Sequence, residues 1–402
     1  MKNKLFIYVL LLIISAPLNS QDQTLRVNYT FSGNSKESRI YLDDLNVIDG
    51  WAGRRVNIKD LYLDGNGQIT MTDASTGDTL YRNSFSTLFQ EWQNTEEATQ
   101  VDRSFENVFL LPMPTAKAVV EVKLTDTYNK VVATMRHTVD PGDILIRHIG
   151  QNPPKWKYLH KSGSPEKCID VVIVPEGYTA DEMDLFYKDA GIAVNSLLSH
   201  EPFKTMQDRF NILAVELASK DGSVSVPKEG LWTETALGSH FSTFYSDRYL
   251  TTLRLRQLHD KLAGVPYEHI IILANTDVYG GGGIFNSYTL TTAHHAQFAP
   301  VVVHEFGHSF GGLADEYYYD DQYEQYYNSE TEPWEPNLTT KVDFESKWKD
   351  MMPQAGLYEG GGYMSKGVWR GFSDCRMKTN SYPEFCPVCR RSLERIIRFY
   401  TE

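Results

Sequence analysis

A chain of 402 residues with 41% hydrophobic, 23% charged and 12% aromatic residues has an ordinary globular composition and length enough for two domains. Its formal net charge of −13, with no basic cluster to supply a phosphate footprint, argues against a nucleic-acid partner. After residue 20 no run is apolar and long enough to cross a bilayer, so no integral membrane segment is expected.

Residues 1–20, "MKNKLFIYVLLLIISAPLNS", join a basic start (Lys2 and Lys4) to a short apolar core and then to small polar residues. That order predicts a secretory signal peptide and a mature chain that is secreted or periplasmic, beginning near Gln21. No cysteine follows the apolar core, so a lipoprotein anchor is not indicated. Of the four cysteines, Cys375, Cys386 and Cys389 lie within fifteen residues, and export favours a disulfide among them. "CPVC" is a weak signal for structural zinc, because a second cysteine pair is missing. Cys168 reads as a small buried residue.

Residues 21–145 form short alternating segments separated by turn signals. "GQITMTDASTGDTLYRNSF" and "KAVVEVKLTDTYNKVVATMRHTV" read as hairpins. In the second, Val120, Val122 and Leu124 alternate with Glu121 and Lys123, the period of a half-buried strand. This predicts an all-β, sandwich-like accessory domain. "GQNPPKW" reads as linker, and the residues after about Pro154 are expected to fold without the β-rich half.

Residues 146–402 alternate strand and helix, which predicts a mixed twisted sheet with helices packed on it, an α+β fold overall. "CIDVVIVPEG", "FNILAVELAS" and "HIIILAN" are apolar strands. "TADEMDLFYKDAGIAVNSLLS" is an amphipathic helix with Thr179 as N-cap and Glu182 at the capping-box position. A second helix is expected around residues 248–262.

"VVVHEFGHSFGGLADEY" carries the chemistry. Pro300 suits a first helical turn, and a spacing of four places His304 and His308 on one helix face. Two imidazoles so placed can hold Zn²⁺, and Glu305 beside them can take a proton from a water activated by the metal. Gly311-Gly312 turns the chain back, so that Asp315 or Glu316 can supply a third ligand. Glu324, Glu330, Glu332 and Glu335 are further acids, but the proline-containing segment around them reads as loop, not as a second ligand helix. No G-x-S-x-G elbow is present for a serine hydrolase.

"HEFGHSFGGLADEY" together with "YEGGGYMSKGVWRGFSDCRMKTNSYPEFCPVC" resembles the bacterial IgA-peptidase-like metallopeptidases, which are metzincin-type zincins. The resemblance covers roughly residues 165–402, and more loosely the β-rich half. It implies a metzincin-like zinc endopeptidase with protein or peptide substrates. The metzincin pattern HExxHxxGxx(H/D) points to Asp315 as third ligand if one residue has been added before it, since its last place here is Ala314. A methionine turn is implied at Met377, with Met364 a weaker occupant. Tyr382 is then a residue that could contact substrate or oxyanion, although a packed aromatic fits it as well. The resemblance also makes residues 284–292 the sheet-edge strand that pairs with substrate. The rival reading is a non-catalytic surface adhesin or glycan-binding protein with a vestigial metal site, supported by the β-rich half and the 24 tyrosines.

Overall fold

The computed structural model describes residues 22–319 and 326–402, so the expected signal peptide lies outside the described residues, as does Glu324. The chain is mixed α+β, with a β-rich N-terminal half. There, two four-stranded sheets form. One orders its strands Arg103–Pro112, Gln23–Gly33, Ser38–Asp49 and Arg147–Ile149, and the other Thr79–Phe85, Gly67–Asp73, Ala118–Thr125 and Val131–Val139. Both expected hairpins are present, and Val120, Val122 and Leu124 are fully buried. Leu25, Val27, Tyr29 and Phe31 share their core, as the period of two along a strand requires.

The second half is built on a six-stranded sheet ordered Gly281–Ile284, Tyr288–Thr292, His269–Ala274, Ile169–Glu176, Phe210–Val215 and Trp156–Lys161. Its four inner strands are parallel and its two outer strands antiparallel to their neighbours. The inner strands read as continuous apolar runs because both faces are covered. Ile169, Val171, Ile173, Ile212 and Ile271 face the helices Met183–Ser199, Phe298–Ser309 and Pro387–Thr401. Val172, Val174, Leu213, Ile270 and Ile272 face the other way. Thr179 and Glu182 form the expected capping box, with the Thr179 amide donating to Glu182 Oε2 at 2.9 Å.

Two expectations are corrected. The helix around residues 248–262 starts only at Leu255, because Tyr249 bridges Gly281 and Thr251 bridges His240, which holds residues 249–251 extended. The strand Tyr288–Thr292 is not an edge. It is paired on both sides, and the antiparallel strand Gly281–Ile284 lies outside it. The hairpin turn at Asn286, which has φ of 52°, folds "GGGI" back along the sheet and makes it the outer strand.

The face opposite the helices is not free. Its residues belong to one apolar cluster that continues through Leu237, Leu250 and Leu258 into the N-terminal sheets. The strand Gln23–Gly33 joins the halves, because its alternate side chains leave the sandwich. Arg26, 1% exposed, donates to Asp260 Oδ1 at 2.7 Å. The Arg256 amide donates to Glu106 Oε2 at 2.9 Å, and that of Arg54 to Glu268 Oε1 at 2.7 Å. Each fully uncovered aliphatic side chain costs about 1.5–3 kcal/mol, against a total stability of about 5–15 kcal/mol for a typical domain. A chain beginning at residue 155 is therefore expected to bind a hydrophobic dye and to lose its cooperative thermal transition. A monomeric truncation that unfolds as sharply as the full chain would contradict the shared core.

Candidate metal centre

Phe298–Ser309 forms the helix that carries the motif. Pro300 stands in its first turn, where an amide has no intrahelical acceptor. The helix stops at Phe310, and Gly312, with φ of 59°, reverses the chain. A side chain there would meet Leu63 and Trp334 as well as adopt an unfavourable φ. The reversal returns residues 313–316 under the helix. Asn337 clamps them, accepting from the Ala314 amide at 2.8 Å and donating to the Ala314 carbonyl at 2.9 Å.

This turn brings three donor atoms together. His304 Nε2 and His308 Nε2 are 3.0 Å apart, and Asp315 Oδ1 lies 3.0 and 3.2 Å from them. The other ring nitrogens define the tautomers. His304 Nδ1 is 2.9 Å from the Arg376 carbonyl and His308 Nδ1 is 2.6 Å from the Leu313 carbonyl. A carbonyl only accepts, so each Nδ1 carries the proton and each Nε2 presents a lone pair. Asp315 Oδ2 accepts from the Tyr363 hydroxyl, whereas its buried Oδ1 has no hydrogen-bond donor. Two lone pairs and one carboxylate oxygen thus converge on one point. Ligands about 2.0–2.1 Å from a tetrahedral metal stand about 3.3 Å from one another, so the triangle fits a divalent cation.

Asp315 and Glu316 are adjacent but face opposite environments. Burial pushes the Asp315 carboxyl up, yet the positive charge that the two imidazoles carry when a second proton is bound to them overrides it and holds it well below the usual carboxylate range. Burial dominates at Glu316 and pushes it up to about 8. The Glu316 carboxyl points away from the histidines, towards Cys386 and Cys389.

Glu305 reaches the same cleft. Its carboxylate and the ring nitrogens of His304 and His308 form a group whose candidate ligand atoms lie within 4.8 Å of one another. Burial raises its pKa, the neighbouring histidines oppose that, and Asp315 adds to it. The outer strand packs directly on this residue. A Cβ at Gly283 would fall 2.2 Å from the Glu305 carbonyl oxygen, and one at Gly281 would fall 3.1 Å from Glu305 Oε1. The glycine run is what lets the strand lie so close. From the N-terminal half, Glu91 accepts from the Tyr249 hydroxyl and acts electrostatically on His308, Asp315 and Glu305.

Met377 is fully buried beneath the helix, with its sulfur 2.8 Å from where a Cβ on Gly307 would stand. Its carbonyl accepts from the Glu316 amide at 2.8 Å, and the preceding carbonyl, that of Arg376, orients His304. Met364 packs elsewhere, with Leu338 and Val368. Tyr382 is half-buried, and its hydroxyl makes no hydrogen bond among the described residues. Among the described residues, the tyrosine whose hydroxyl donates to Asp315 is Tyr363. Nothing in its local sequence signals this, because 48 residues separate it from Asp315. Of the acids in the rival loop, Glu335 accepts from Tyr327 at 3.0 Å and Glu332 from Thr340 at 3.2 Å, and residues 326–335 are not helical.

No curated protein matches the chain. The family model for the Peptidase M64 N-terminus matches residues 18–136. The model for IgA Peptidase M64 matches residues 158–355 and 351–397, which include His304, Glu305, His308, Asp315 and Met377, and on that coverage the chain belongs to the M64 peptidase family.

Proposed function

We propose that this protein is an exported zinc endopeptidase whose catalytic half, roughly residues 146–402, is metzincin-like and whose residues 21–145 form an accessory domain. The observation that carries the reading is the convergence of His304 Nε2, His308 Nε2 and Asp315 Oδ1 on one point, with both histidine tautomers fixed by carbonyls. A set of two imidazoles and one carboxylate suits Zn²⁺ and leaves a fourth position for water or substrate. Bound there, zinc would polarise the scissile carbonyl and make its water acidic near neutral pH.

The chain's own residues do the rest. Glu305 takes the proton of the attacking water and returns it to the leaving amine, a role that its half-buried position and raised pKa favour. Its presence beside both histidines separates this reading from a glycan-binding protein with a vestigial site. Tyr363 holds one oxygen of Asp315 and so directs the other towards the metal. Met377 forms the floor in the manner of a methionine turn. The outer strand Gly281–Ile284 has no strand on its far side among the described residues, apart from one bridge from Tyr249 at Gly281. An extended stretch of polypeptide added there would run alongside Glu305. Main-chain pairing of that kind suits an unstructured substrate and makes few demands on its sequence.

Glu305→Gln is expected to lower kcat on an unstructured peptide by about 10²–10⁴-fold while metal content stays at the wild-type level. Full activity, or loss of the metal, would assign the residue another role. Titration with zinc separates the carboxylates. Asp315→Ala should abolish tight binding at the histidine centre, and Tyr363→Phe should weaken it by about 10–100-fold, the usual cost of removing a partner of a ligand. If Tyr363→Phe weakens binding more than Asp315→Ala does, the ligand set is wrong.

A further inference from the structure

The three clustered cysteines are not paired. Cys375, Cys386 and Cys389 are all free thiols and are at most 1% exposed. They surround the carboxylate of Glu316, itself fully buried, and the four candidate ligand atoms lie within 4.8 Å of one another. Cys389 Sγ is 3.0 Å and Cys386 Sγ 3.9 Å from Glu316 Oε1. The Cys386 amide donates to Cys375 Sγ at 3.1 Å. Asn337 donates to Glu316 Oε1 at 3.1 Å, but Glu316 Oε2 has no partner.

We infer that Glu316, Cys375, Cys386 and Cys389 form a second, structural metal centre that takes Zn²⁺ or an ion of the same thiophilic class. "CPVC" places Cys386 at the N-cap and Cys389 in the first turn of Pro387–Thr401, so both sulfurs leave the same helix end. The chain supplies the missing pair from two other places: Cys375 from the loop below the first centre, and Glu316 from the reversal after Gly312. Sulfurs bound at about 2.3 Å in a tetrahedral site stand about 3.8 Å apart, a spacing the cluster accommodates. A disulfide is the competing account of three cysteines in one place. It would use two sulfurs and leave a third thiol and a buried carboxylate oxygen without partners, which is costly. A metal engages all four groups. Three thiolates and a carboxylate on a dication leave a net negative centre, and the buried guanidiniums of Arg370 and Arg376 act on Glu316 and Cys375 respectively.

The position of this centre assigns it a task. Glu316 follows Asp315, and Cys375 stands two residues before Met377. A metal here ties the strand that delivers Asp315 to the floor loop and to the last helix. It is a clasp on the first centre and contacts no substrate. The inference stands apart from the catalytic reading, since it uses neither histidine nor Glu305.

The test uses the full-length protein, cobalt(II), and thiol alkylation. His304→Ala/His308→Ala should keep about one metal ion per chain. Loaded with cobalt it should show the near-ultraviolet thiolate-to-cobalt charge-transfer band, which the nitrogen–oxygen centre lacks the sulfur to produce. Cys386→Ser/Cys389→Ser should lose that band. In wild-type protein unfolded with chelator and without reductant, all four cysteines should alkylate. Two blocked cysteines among the three, or a histidine variant that folds without metal and without the band, would overturn the second centre. If a variant fails to fold, the cobalt-loaded wild-type protein decides: the thiolate-to-cobalt band sustains the proposal, and metal-loaded protein without the band refutes it.

Discussion

Three lone pairs facing one point are the constraint around which the C-terminal half is organised. Two neutral imidazoles and an ionised carboxylate at 3.0–3.2 Å repel one another unless a cation joins them, so the scaffold must hold them there. It does so with rigid parts. The helix fixes the spacing of the histidines, and the carbonyls of Arg376 and Leu313 fix their rings. Gly312 returns the chain, Asn337 clamps the returning strand, and Tyr363 takes the oxygen of Asp315 that does not face the histidines. Each of these groups acts through geometry and needs no further chemistry.

The surrounding layers serve the same end. One face of the six-stranded sheet packs the His304 helix through Phe306 and Phe310, stacked on each other with centroids 5.1 Å apart. The opposite face continues into the core of the N-terminal sheets. The Phe285–Asn286 turn after the outer strand is held from both halves. The Ser86 amide donates to the Phe285 carbonyl at 3.0 Å, and the Asn286 amide to the Ser309 carbonyl at 2.8 Å. The β-rich half therefore bears on the position of the strand beside Glu305, and its Glu91, whose carboxyl burial pushes up to about 7, is coupled electrostatically to His308, Asp315 and Glu305.

Much of this was legible in the chain because the signals are local. The Thr179 capping box, the alternation of Val120, Val122 and Leu124, the four-residue histidine spacing and the turning glycine each depend on residues a few positions apart. What escaped depends on contacts distant in sequence. Tyr363 meets Asp315 across 48 residues, and Glu316 meets Cys389 across 73. With Glu316 out of reach in the sequence, three nearby cysteines read as a disulfide. The register of the outer strand turned on one left-handed residue, Asn286, and shifted the edge from Tyr288–Thr292 to the glycine run. The apparent linker near Pro154 marks a change of texture along the chain, while the core itself runs across it.

The central claim is that His304, His308 and Asp315 hold a catalytic zinc. Anomalous diffraction from crystals of the full chain, recorded on both sides of the zinc absorption edge, tests it most directly. The account predicts an anomalous peak about 2.0–2.1 Å from His304 Nε2, His308 Nε2 and Asp315 Oδ1. A peak bound by Glu305, or none at the point where those three atoms converge, would contradict it.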